Sequence, residues 1–154
     1  MIERASFASR IATTGDGPRL GEIYLQAVRQ AMPWLRLTHG DDELKAWFSR
    51  EMPRSHQIWV GERHGSVRAF IALSLDRAWI DHLYVEPEAQ GSGHGRELLE
   101  VAKSGSPGQL RLWAFQRNLA ARTFYEHRGF TALEFTGGRA NLEREPDVLY
   151  RWNR

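Results

Sequence analysis

The chain has 154 residues, of which 42% are hydrophobic and 11% aromatic. That is enough for one domain with its own core, expected over residues 1–154, and too apolar for a disordered chain. Cysteine is absent, which excludes disulfides, thiolate metal sites and cysteine nucleophiles. No apolar run approaches a membrane span or the core of a signal peptide, so a soluble cytoplasmic protein with no membrane partner is expected.

The charges nearly cancel, with 21 Lys+Arg against 19 Asp+Glu for a net +2, yet the pI is about 9.3. All the basic residues except Lys45 and Lys103 are arginine, which keeps its proton where lysine loses it. The arginine excess has two readings, codon composition and polyanion binding. Arginines alternate with Glu and Asp along the chain, which argues against a nucleic-acid surface.

In chain order, Ile2 to Phe7 is a candidate strand. Leu20, Ile23, Tyr24, Ala27, Val28 and Ala31 recur at three and four residues. They form one face of a helix that opens at Pro18 and stops before Pro33. Asp41 or Asp42 is the candidate cap of a second helix carrying Leu44, Trp47 and Phe48 and closed by Pro53. Then the period changes. Gln57–Glu62, Val67–Leu75 and Ala78–Val85 read as three strands joined by short turns, hence antiparallel neighbours. Alternation assigns Trp79, Asp81, Leu83 and Val85 to one face of the last strand, and Ile80, His82 and Tyr84 to the other. A glycine-rich stretch, Gln90-Gly91-Ser92-Gly93-His94-Gly95, leads into a helix with Leu98, Leu99, Val101 and Ala102. The strand Leu110–Phe115 follows. The helix Leu119–Arg128 is capped by Asn118, buries Ala120, Ala121 and Phe124, and stops at Gly129. Phe130–Phe135 and Val148–Trp152 are the final strands. The class is α+β, with a mixed, mostly antiparallel sheet of six or seven strands and about four helices.

The strongest local signal is the glycine stretch between a strand and a helix. Its backbone N–H groups make an anion site suited to a pyrophosphate. A Walker loop is excluded because Arg96-Glu97 follows Gly95, and a dinucleotide loop because the preceding strand follows antiparallel ones. Between Gln90 and Glu100 there is one Arg and two Glu, so the amides and the helix dipole must hold the anion.

With that charge pattern in view, Glu88 to Gly95 resembles the acetyl-coenzyme A (acetyl-CoA) loop of the GNAT N-acetyltransferase family, Gln/Arg-x-x-Gly-x-Gly/Ala. Asn118 through Phe124-Tyr125 to Gly129-Phe130 resembles the family's second signature, and the order of elements matches. The resemblance implies a V-shaped opening between strands 4 and 5 that takes acetyl-CoA. It implies that Leu83, Tyr84 and Val85 pair with the pantetheine arm, and that Gln90, Gly91, Ser92, Gly93, His94, Gly95 and Arg96 wrap the pyrophosphate. Asn118, Ala121 and Arg122 would lie along the cofactor. A backbone N–H near Val85 or Tyr84 would hold the developing oxyanion, and Tyr125 would protonate the departing thiolate.

The base is open between Asp81, His82, Glu22 on the first helix and a water chain. Glu22, Trp34, His39 and Asp81 are the candidate acceptor-binding residues. The loop Gly137–Pro146, with Glu143 and Glu145, and then Asp147, is a candidate source of carboxylates for a cationic amine. His56, His64 and His127 have no partner legible in the sequence, and no metal is expected. Arg96, Arg117, Arg122 and Arg128 flank the implied cofactor site.

The function implied is acetyl transfer to a primary amine in a ternary complex, with a small amine or amino acid favoured. The alternatives are a protein N-terminal or lysine acetyltransferase, or a non-catalytic acyl-CoA sensor. A homodimer is a further possibility for so small a domain.

Overall fold

A computed structural model describes residues 7–154. The candidate strand at Ile2 to Phe7 therefore lies outside the described residues except for Phe7, which opens β1 (Phe7–Ile11). The remaining strands are β2 (His56–Arg63), β3 (Ser66–Ser74), β4 (Ile80–Val85), β5 (Gln109–Phe115), β6 (Thr131–Thr136) and β7 (Asp147–Asn153). The helices are α1 (Gly17–Ala31), α2 (Asp41–Ala46), α3 (Met52–Ser55), α4 (His94–Gly105) and α5 (Leu119–Glu126).

Two antiparallel arms form the sheet, one in the order β1-β2-β3-β4 and the other β5-β7-β6. They touch at their base, where Trp79 bridges Arg111 in parallel and the Arg111 N–H donates to the Ala78 carbonyl at 2.9 Å. Ala78 and Trp79 therefore belong to this junction rather than to β4, and beyond it β4 and β5 diverge into the expected V.

The central strand β3 is apolar at every step from Ala69 to Leu73 because both its faces are covered. Ala69, Ile71 and Leu73 pack with Leu98, Leu99 and Ala102 of α4. Phe70 and Ala72 pack with Leu20, Ile23 and Val28 of α1 and with Phe48. Fully burying a side chain such as Phe70 or Ile23 contributes about 1.5–3 kcal/mol.

Four expectations need correction. Pro53 does not close the second helix. A wider π-helical turn, Trp47–Glu51, carries it into α3, where Pro53 sits in the first turn and lacks only an N–H that needs no intrahelical partner. The cap of α2 is Gly40, and Asp41, Asp42 and Glu43 fill the first turn, where their charge suits the helix dipole. Ala120 is exposed, and the buried residue of α5 is Tyr125. Strict alternation in β4 fails at its start. Ala72 pairs with His82 but Leu73 pairs with Ile80, so Asp81 is an extra, bulged residue. Ile80 thereby joins the α4-side core, on the face of Leu83 and Val85.

Candidate active site

Glu86 donates its backbone N–H to Arg68 on β3 at 2.8 Å. Tyr84, two residues earlier and opposite Phe70, therefore also turns its N–H toward β3. The N–H groups of Leu83 and Val85 face the other edge, into the open V. The Val85 carbonyl agrees, since it accepts from Gln90 Nε2 at 3.3 Å on that side. Of the two candidate oxyanion donors, Val85 has the right orientation and Tyr84 does not.

Beyond Val85 the chain turns through Pro87–Ala89 and enters the glycine loop. Gly91 and Gly93 have φ of 81° and 94°, a region that costs a side-chain-bearing residue free energy. Gly93 is the N-cap of α4, so the backbone amides of Gly95 and Arg96 in the helix's first turn, which lack an intrahelical acceptor, open onto this loop. A cavity of about 470 Å³ lies over it, walled by the loop, Arg96, Phe124 and Arg128. The Ser92 hydroxyl donates to the Ala89 carbonyl and fixes the turn. His94 departs from expectation, for its side chain is turned inward and 1% exposed. It faces Gly61 of β2, where an added Cβ would lie 2.9 Å from His94 Nδ1. Its contribution to the loop surface is its backbone.

The loop cavity continues into a groove of about 220 Å³ between β4 and α5, with Leu83, Val85, Asn118, Ala121 and Tyr125 in its walls. Asn118 caps α5, its Oδ1 accepting from the Ala121 N–H at 3.2 Å. The groove opens into a cavity of about 450 Å³ in the V, whose walls include Asp81, His82, Tyr84, Tyr125 and Glu143. Tyr125 is 8% exposed, and burial pushes its phenol above the usual tyrosine range. It keeps its proton at neutral pH and makes no hydrogen bond with another described residue.

The structure brings a partner to Asp81 that the sequence did not reveal. The bulge leaves its side chain half-exposed, and Oδ2 meets His56 Nε2 at 2.8 Å. His56 Nδ1 meets Ser55 Oγ at 2.8 Å. The residues of the pair are 25 positions apart, on β2 and β4, so no local pattern could announce it. His82 has the opposite character. Burial first, and the nearby charge of His56 second, pull its pKa down to about 3. A histidine that is neutral down to that pH is a poor base for an ammonium.

A last cavity, of about 400 Å³, adjoins the V at His82 and Glu143 and is walled by Tyr24, Trp47, Phe48, His39 and Glu43. His39 Nδ1 lies 3.0 Å from Glu43 Oε2. The other expected acceptor residues lie elsewhere. Glu22 is exposed on α1 beside Arg19. Trp34 is covered by the Arg117 guanidinium at 3.9 Å and meets Phe115 edge-on. Arg122 also points away from the groove, toward β7. Its Nε donates to Tyr150 at 2.9 Å and its Nη1 to the Gln116 carbonyl at 3.2 Å. Arg117 is held by Glu145 at 2.7 Å. Arg96 and Arg128 are the flanking arginines that reach the loop cavity, and Arg128 stacks on Phe124 at 4.0 Å.

Among the described residues, no group of three or more His, Asp or Glu is placed to hold a metal ion. No helix there is long and apolar enough to cross a membrane.

Residues 54–132 match the family model of the acetyltransferase (GNAT) domain. A probable N-acetyltransferase of Mycobacterium tuberculosis is 28% identical over 137 residues, 79% of this chain and 78% of its own length. An L-amino acid N-acyltransferase of Escherichia coli is 34% identical over 98 residues, 58% of this chain and 57% of its own length. Among solved structures, a Thermoplasma acidophilum N-acetyltransferase in complex with coenzyme A superposes with a TM-score of 0.75, covering 97% of this chain and 99% of that one at 17% identity. The yncA protein of Salmonella typhimurium with its cofactor acetyl-CoA superposes at 0.70, covering 97% and 94% at 23% identity. These two likenesses are of fold. From the matched domain, the chain belongs to the GNAT acetyltransferase family.

Proposed function

We propose that the protein transfers an acetyl group from acetyl-CoA to the primary amine of a small molecule, by direct attack in a ternary complex. The observation that carries this reading is the continuous run of cavities along the V. They lead from the glycine loop, past the open N–H groups of β4 and the Tyr125 hydroxyl, to Asp81 and the aromatic pocket. The donor is supported by the family and by the two solved structures of like fold that hold coenzyme A and acetyl-CoA. As substrate, acetyl-CoA supplies an activated thioester carbonyl.

The residues of this chain suit that substrate. The backbone amides of Gly91, Gly93 and Gly95 and the dipole of α4 take the pyrophosphate, with Arg96 and Arg128 at its edge, while Gln90 and Ser92 donate their N–H groups to Pro87 and Ala89 and fix the turn. The unpaired backbone edge of Leu83 and Val85 takes the pantetheine amides as an added strand. Val85 N–H is oriented to donate to the thioester oxygen as negative charge develops there.

Asp81 removes the proton from the attacking amine. His56 holds one of its carboxylate oxygens and leaves the other for the amine. The new N–C bond forms, the C–S bond breaks, and Tyr125 gives its proton to the departing thiolate. A phenol kept protonated by burial suits that last step.

Coenzyme A release across a panel of amines tests the reading. Tyr125→Phe is expected to lower kcat about 100-fold or more, as for loss of a general acid, with acetyl-CoA binding retained. Unchanged turnover would remove Tyr125 from the mechanism. Tight acetyl-CoA binding without turnover of any amine would leave only an acyl-CoA sensor.

A further inference from the structure

The two cavities on the acceptor side of the V have no described lysine or arginine in their walls. Asp81, Glu143 and Asp147 line the larger one, and Glu43 and Glu143 the smaller. In a chain so rich in arginine, this lack of positive charge is a local property. Arg117 is held by Glu145 and stacks on Trp34, Arg29 pairs with Asp41, and His39 in the wall of the smaller cavity meets Glu43.

The carboxylates are not equivalent. Asp147 is taken up by Thr136 and by Asn141 Nδ2 at 3.0 Å. Asp81 has one oxygen on His56. Glu143, shared by both cavities, has no hydrogen bond or ion pair with another described residue.

Apart from Thr38, His39 and these carboxylates, the smaller cavity is lined by apolar and aromatic side chains. Tyr24 and Phe48 have ring centroids 4.7 Å apart, and Trp47 meets Phe48 perpendicularly at 5.1 Å. His82 closes this wall at 5.6 Å from Trp47 and 5.3 Å from Phe48. Its Nδ1 is buried with no hydrogen-bond partner among the described residues, and burial keeps the ring neutral. The ring of His82 lines both cavities, while Nδ1 itself is shielded from them.

A carboxylate brought here would lose its water, meet Glu143 and Asp81, and find no lysine or arginine in the walls. An ammonium would meet the same two groups favourably. We propose that the acceptor is a primary monoamine that carries an apolar or aromatic substituent and no carboxylate, its ammonium on the Asp81 and Glu143 side and its substituent against Tyr24, Trp47 and Phe48. The inference rests on the acetyl-transfer reading and narrows it, because free amino acids fall outside it.

Three classes of acceptor separate the possibilities in a coenzyme A release assay on the whole chain. They are phenethylamine and tryptamine, the free amino acids phenylalanine and tryptophan, and spermidine, which is cationic but lacks an apolar substituent. The arylalkylamines are expected to exceed both other classes in kcat/KM by about tenfold or more, the effect of one unfavourable charge or one unfilled apolar pocket. Amino acids turned over as well as the matching amines would overturn the inference and leave acetyl transfer standing. Spermidine ahead of the arylalkylamines would overturn it as well. If no class reacts while acetyl-CoA still binds in calorimetry, the inference fails, and acetyl transfer fails with it only when the wider panel of amines is silent too.

Glu143→Arg provides an independent check, on a partly exposed loop residue where folding is readily confirmed by circular dichroism. It is expected to shift the ratio of phenylalanine to phenethylamine turnover at least about tenfold toward phenylalanine. An unchanged ratio would show that Glu143 does not set the preference.

Discussion

Arg122 and Arg128 illustrate how far position along a helix decides a side chain's role. Both lie on α5 or just beyond it, and the sequence treats them alike. In the fold, Arg128 donates to the Phe124 carbonyl at 3.0 Å, stacks on the Phe124 ring and walls the glycine-loop cavity. Arg122 faces β7 and joins Tyr150 to the Gln116 carbonyl. Their substitutions should therefore separate. Arg128→Ala is expected to weaken coenzyme A binding by about 1 kcal/mol, as for a partly exposed ion pair, readable by titration calorimetry. Arg122→Ala should leave that binding unchanged and lower stability by about 1 kcal/mol in urea denaturation, through the lost hydrogen bonds. Equal effects of both on binding would contradict the geometry.

At the scale of elements, the site depends on two irregularities. The bulge at Asp81 sends that side chain to His56 while the residues after it keep their alternation. The close packing of β2 against the start of α4 sets the glycine loop, because Gly61 leaves room for the buried His94 ring. Gly61→Ala is expected to push His94 and the first turn of α4 outward. The overlap should cost about 1–3 kcal/mol of stability and weaken acetyl-CoA binding, although residue 61 is absent from the loop-cavity wall. Wild-type binding and stability together would show that His94 does not position the loop. Neither irregularity is visible in periodicity, because each is a relation between elements. The strands and helices themselves were legible, since burial on one or both faces imposes the period that sequence pattern detects.

Across the whole molecule, part of the arginine excess serves structure. Glu86 is buried between Arg19 and Arg68, and Arg19 also donates to the Val67 carbonyl at 3.0 Å, tying α1 to the first sheet arm. Arg10 spans Asp16 and Glu62 at 2.8 and 2.9 Å. Its hydrogen bond is the main cause that holds the Asp16 carboxyl below the usual carboxylate range.

These groups set the acid response. His82 has a folded-state pKa of about 3 against 6.5 for the free side chain, so below about pH 6.5 the unfolded chain binds a proton that the folded one refuses. Stability contributed by His82 is therefore present at neutral pH and lost as pH falls toward 3. Asp16 acts in the same direction lower down, its contribution present above the unfolded pKa near 3.8 and lost as pH drops below it. The urea midpoint is expected to fall steadily from pH 7 to pH 4, and His82→Phe to flatten that decline. An unchanged slope in the variant would mean that His82 is not the group that titrates.

The linear chain carries the α+β class, nearly all of its elements and the glycine loop, because each depends on local periodicity, turn chemistry or residues close together. The two GNAT-like segments also pointed to Tyr125 and Asn118 as residues of one cleft, and the fold places both along the V. Other assignments depended on three dimensions. Which N–H groups of β4 face the cleft follows from pairing with β3. The partner of Asp81 comes from another strand. The distribution of charge in the acceptor cavities comes from α1, α2, β4 and the 137–146 loop together. Glu22, Trp34 and Arg122 left the site for the same reason. A side chain's neighbours across the fold are set by how elements pack, and that packing is encoded in no single stretch of sequence.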